Sequence, residues 1–94
     1  MVLEELEKLG IKNLKYLAKG KRSVVYTGNY KSKKVAIKTK LDRIAAKSVI
    51  KNEVRFLKIL NKHHIGPKLV YPSKDFVVYE FVKGIRYDLM AFAS

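Results

Sequence analysis

The spacing of apolar positions divides the chain. Leu3, Leu6 and Leu9 recur at the interval of one helix face and Gly10 supplies a stop, so a short helix is predicted over residues 1–10. From Leu14 the pattern changes. Leu14–Lys19, Val24–Thr27 and Lys34–Thr39 are short segments rich in β-branched or aromatic residues, and each reads as a strand. Gly20 marks one turn between them and Gly28-Asn29 another. Strands this close in sequence pair most simply as an antiparallel meander.

Residues 42–62 return to a helical period through Val49, Ile50, Val54, Phe56, Leu57 and Leu60, with Asp42 or Ser48 as the cap. Gly66-Pro67 closes the connection. Leu69-Val70-Tyr71 and Phe76–Val82 then flank a turn at Pro72-Ser73-Lys74-Asp75, which makes a hairpin, and Tyr87–Ala93 begins another helix. The expected architecture is α+β in a single domain over residues 1–94. It has a five-stranded antiparallel sheet, one long helix and a short N-terminal helix.

Composition narrows the function. With 94 residues the chain builds one small core, and 48% hydrophobic content argues against disorder. Lys and Arg number 21 against 8 acidic residues, a net charge of +13 with seventeen of the cations lysine. Such a field attracts nucleotides, nucleic acid, acidic membranes or acidic proteins. The lysines are spread over every segment rather than gathered in one block. The absence of Cys excludes a disulfide framework and a Cys-based zinc site. No apolar run approaches the ~18 residues of a membrane span, and the acidic N-terminus is unlike a signal peptide. A cytoplasmic protein with no membrane partner is therefore expected. The lack of Gln beside abundant Lys resembles thermophile composition.

Two charged residues stand apart. Val49 and Ile50 precede Glu53 by four and three positions, and Phe56 and Leu57 follow it at the same intervals, so the spacing places Glu53 within an apolar stripe. A carboxylate there needs a cation beneath it. In the upstream strand Lys33-Lys34-Val35-Ala36-Ile37-Lys38-Thr39-Lys40, Val35 and Ile37 point to one face, Ala36 and Lys38 to the other. Lys38 shares its face with a small residue, whereas the remaining lysines lie at the strand ends within reach of water. Lys38 is the expected partner of Glu53. The alternative is a solvated lysine and a glutamate at the edge of the stripe.

Val35-Ala36-Ile37-Lys38, followed fifteen residues later by a helical Glu53, resembles the small lobe of a protein kinase. In that family the strand lysine holds the α- and β-phosphates of ATP and the helical glutamate pairs with it. Ala18-Lys19-Gly20-Lys21-Arg22-Ser23-Val24-Val25 falls where the family has G-x-G-x-x-G-x-V and keeps only the middle glycine. It is similar to the variant loop of archaeal atypical serine/threonine kinases of the RIO-like type. Val77–Gly84 resembles the last strand and the hinge between lobes. The resemblance implies Tyr79 as gatekeeper, the Glu80 carbonyl and Val82 backbone at the adenine edge, and Leu17, Val25 and Ala36 as the apolar roof. It implies Ala18, Gly20 and Ser23 at the phosphates, Asp88 near the ribose, and Lys38 and Glu53 as catalytic-site residues. Residues 83–94 then form the hinge and the start of a large lobe.

The catalytic Asp and Asn of the family and its D-F-G aspartate are not among these residues. Asp75-Phe76 is followed by Val77 and reads as a hairpin corner. His63-His64, with no further His, reads as a helix end rather than a metal site. The expectation is an ATP-binding lobe inactive alone, with Mg²⁺ bound only in a two-lobed protein. Leu89, Met90 and Phe92 would offer an apolar surface for the large lobe or for a homodimer. Two other readings stand beside it: a basic RNA-binding module using phosphate contacts and aromatic stacking, and the small lobe of a small-molecule phosphotransferase. A protein substrate or RNA partner fits the first reading as well.

Overall fold

A computed structural model describes residues 2–20, 23–40 and 47–83. In chain order the elements are α1 (Val2–Lys8), β1 (Lys12–Lys19), β2 (Ser23–Tyr30), β3 (Lys33–Lys40), α2 (Lys47–Lys62), β4 (Leu69–Pro72) and β5 (Phe76–Glu80). The strands form one antiparallel sheet in the order β1-β2-β3-β5-β4. The α+β class, the meander and the closing hairpin are as the sequence predicts. Asp42, Asp88 and the apolar tail lie outside the described residues, as do residues 42–46 of the predicted long helix. Ser48 sits within α2 rather than capping it.

Strand alternation divides the core into two layers. On one face Val25, Ala36, Val77 and Tyr79 pack with Ile50 and Leu57 of α2. On the other, Val35, Ile37, Phe76 and Val78 pack with Leu6 of α1 and Ile11. β3 therefore carries apolar side chains on both faces, which is why its interior reads as a continuous run.

Both helices end the same way. The Ile11 N–H donates to the Leu6 carbonyl at 3.1 Å and the Gly10 N–H to Glu7 at 2.9 Å, with Gly10 at φ 92°. Likewise the Ile65 N–H donates to Leu60 at 2.8 Å and the His64 N–H to Asn61 at 3.0 Å, with His64 at φ 59°. These are Schellman closures, in which a left-handed residue lets the chain turn back over the last helical turn. His63-His64 thus sits at a helix end.

Two expectations are corrected. Gly28-Asn29 is not a turn but part of β2, paired with Val35 and Lys34. The turn falls at Lys31-Ser32, at φ 49° and 67° between the paired residues Tyr30 and Lys33, as in a type I′ hairpin. Gly28 is needed for close approach instead. A Cβ there would lie 2.9 Å from Ile11 Cγ2 and 3.1 Å from the Lys12 carbonyl, where the β1–β2 register slips between Lys12 and Lys15 and Asn13 takes φ 55°. The second correction concerns Phe56, which is 58% exposed. The buried stripe of α2 runs through Ile50 and Leu57, and Glu53 lies at its margin. Three residues further on, Phe56 is carried about 60° farther from the sheet.

Candidate functional site

Lys38 occupies the middle of β3 with Val25 opposite it on β2 and Val77 opposite it on β5. All three face α2. Lys38 is fully buried, which an ammonium accepts only with polar partners. One partner is Glu53 from the overlying helix, with Nζ–Oε2 at 3.5 Å and the carboxylate 13% exposed. The sequence expectation of a Lys38–Glu53 pair is met in geometry, with the glutamate at the stripe's edge rather than its centre. At 3.5 Å the pair is an ion contact, longer than a tight charge-assisted hydrogen bond.

The helix is held over the strand by a clasp that sequence reasoning missed. The Asn61 side chain donates to the carbonyls of Pro67 at 2.9 Å and Ile65 at 3.2 Å, and its Oδ1 accepts the Leu69 N–H at 2.7 Å. One amide therefore fixes the end of α2 to the start of β4. The available signal was its position: Asn61 continues the Ile50–Leu57 stripe at a four-residue step, where an unpartnered polar group would be costly. At the far end of β3, the Lys40 ammonium meets the Asp75 carboxylate at 2.6 Å, and the Lys40 N–H donates to the Asp75 carbonyl. Asp75 is thus a hairpin-corner residue.

The remaining expected site residues fall into two groups. Val25, Ala36 and Tyr79 surround Lys38 on the same face, with Ala36 between Thr27 and Tyr79 in the ladder, and all are buried. Ala18 packs against that layer from β1. Ser23, also buried, opens β2 and pairs with Lys40, while the Gly20 N–H donates to the Ser23 carbonyl at 2.9 Å to narrow the β1–β2 turn. Leu17 and Val82 are the open members, 37% and 41% exposed. Glu80 ends β5 with its side chain on the opposite face, 3.7 Å from Lys33. β5 stops there, two residues short of the predicted end. The Phe81 N–H is committed to the Lys34 carbonyl at 3.0 Å.

A buried, carboxylate-paired ammonium beside Val25 and Ala36 fits a nucleotide's chemistry: a cation for phosphate oxygens and small apolar groups for a flat ring. Among the described residues no helix is long and apolar enough to cross a membrane. No protein-family model matches the sequence, and no match is found among curated proteins.

Proposed function

We propose that the chain is the ATP-binding small lobe of a protein-kinase-like phosphotransferase of the serine/threonine type, acting in the cytoplasm. The observation that carries this is the buried Lys38 on a central strand, facing Glu53 of α2, which covers that face. A fold seeking only stability would place an apolar residue there, since a buried ion pair is often no better than well-packed hydrophobic groups. Glu53 holds the amine in place, and Lys38 presents it to the α- and β-phosphates. Val25, Ala36 and Leu17 cover the adenine, and the Glu80 and Val82 backbone meets its edge. ATP supplies the phosphoryl group. The aspartates that accept the substrate proton and bind magnesium in such enzymes are not among these residues, so the proposal covers binding rather than transfer.

The test is a titration of the ¹⁵N-labelled chain with MgATP, followed by amide shifts. Changes centred on Gly20, Val25, Ala36, Lys38 and Val82, and abolished in folded Lys38→Met, are expected. Uniform or absent shifts at millimolar nucleotide would overturn the reading.

A further inference from the structure

A second cluster lies at the end of the sheet where β2 turns into β3, and the nucleotide reading makes no use of it. Lys31 sits at the turn, Lys33 and Lys34 begin β3, and Lys68 immediately precedes β4. The Glu80 N–H donates to the Lys68 carbonyl at 2.9 Å and the Phe81 N–H to the Lys34 carbonyl, so three strands are tied together at this end. All four lysines are exposed. The one carboxylate lining the cleft among the described residues is Glu80, which contacts Lys33 at 3.7 Å. Two of the amines rest on rings instead: Lys31 Nζ is 5.2 Å from the Tyr30 centroid and Lys34 Nζ 4.1 Å from that of Phe81. Lys34 lies on the α2 side of the sheet with Ala36 and Lys38, whereas Lys31, Lys33 and Lys68 line a cleft of about 270 Å³ together with Tyr30, Leu69 and Val70 among others.

The backbone adds an independent indication. Lys31 and Ser32 both hold positive φ, where Asn-Gly would form the same turn without strain. The strained pair keeps an ammonium at the apex of the hairpin, and such outliers gather at functional sites. The cleft is smaller than the roughly 300–1,000 Å³ that encloses a free small molecule. Its cations are spread across three strand ends rather than focused on one point. That arrangement suits a polymer with repeated anions and flat rings.

We propose that this end of the sheet binds single-stranded nucleic acid, with Lys31, Lys33 and Lys68 on backbone phosphates and a base resting in the cleft against Tyr30. The site stands apart from the Lys38–Glu53 face, because Tyr30 and Lys33 lie on the α1 side of the sheet.

The test is fluorescence anisotropy with labelled oligouridylate and oligothymidylate, each of about 12 nucleotides, within the span of known single-strand sites. The full chain is compared with Lys31→Glu/Lys68→Glu and with a control of equal charge change, Lys51→Glu/Lys58→Glu, on the exposed side of α2. The patch variant is expected to lose at least about tenfold in affinity while the control loses far less. Each lost phosphate contact lowers the salt dependence by roughly 0.7 in log–log slope, so the patch variant's slope falls by roughly 1.4. Tyr30→Leu should weaken binding with the slope unchanged. Circular dichroism verifies folding, and Lys31→Gln/Lys68→Gln replaces the glutamate pair if that pair disturbs it. Equal losses in patch and control variants would overturn the proposal, as would no binding at low salt. Patch-dependent binding to phosphatidylserine vesicles without oligonucleotide binding would also overturn it.

Discussion

Replacing Glu53 by Leu tests the central ion pair directly. At 3.5 Å and an effective dielectric near 20, the gross attraction between Lys38 and Glu53 is roughly 5 kcal/mol, most of it offset by the cost of desolvating both groups. Removing one partner has a different consequence. Leucine cannot solvate the buried ammonium, and stranding one member of such a pair costs about 3–5 kcal/mol in general. The lower end applies here, since the Glu53 site is 13% open to water and Lys38 keeps its other interactions. A loss of about 3 kcal/mol moves the urea midpoint down by roughly 2 M at an m-value near 1.5 kcal/mol/M. Glu53→Gln, which keeps an acceptor, should lose about half as much. The double variant Lys38→Met/Glu53→Leu removes both charges and should return to within about 1 kcal/mol of the parent. Equilibrium unfolding followed by far-ultraviolet circular dichroism measures all three, and the single variant Lys38→Met completes the cycle that isolates the coupling. If Glu53→Leu proves as stable as the parent, the pair contributes nothing and the functional argument built on it fails.

Three further outcomes follow from the geometry. Asn61→Ala loses three hydrogen bonds at the α2–β4 clasp and should destabilise by about 2–3 kcal/mol in the same unfolding assay, with weaker amide-exchange protection at Leu69. Gly28→Ala forces a Cβ to within 2.9 Å of Ile11 Cγ2 and 3.1 Å of a backbone carbonyl, so a loss of about 1–3 kcal/mol is expected in thermal melts. Ser32→Gly relieves one left-handed residue and should add roughly 1 kcal/mol, seen as a rise of several degrees in Tm with Lys31 retained.

Much of this fold is legible in the sequence because period and composition are local properties. Alternation about Val35-Ala36-Ile37-Lys38 assigns side chains to two faces before any coordinates exist, and both core layers obey it. The α2 period likewise anticipates burial of Ile50 and Leu57. Where sequence reading fails, a non-local contact is the cause. Gly28 carries the local signal of a turn, yet it is a glycine because β1 crosses closely over it. The turn then falls on Lys31-Ser32, which no turn preference selects. Phe56 has the spacing of a core residue relative to Glu53, but Glu53 is itself marginal, and only the docking of α2 fixes which arc of the helix meets the sheet.

The sequence by itself determined the element order and the two-faced central strand, because these follow from repeat periods; it offered the Lys38–Glu53 pair as one of two readings, and the structure decided for it. Tertiary structure alone decided how far Glu53 stands from the stripe's centre, which residue clasps α2 to β4 and where the β2–β3 turn falls. It also brought Lys31, Lys33 and Lys68 to one cleft at the end of the sheet. In sequence those lysines are scattered among seventeen; they converge only because antiparallel pairing brings the start of β3, the end of β5 and the start of β4 side by side.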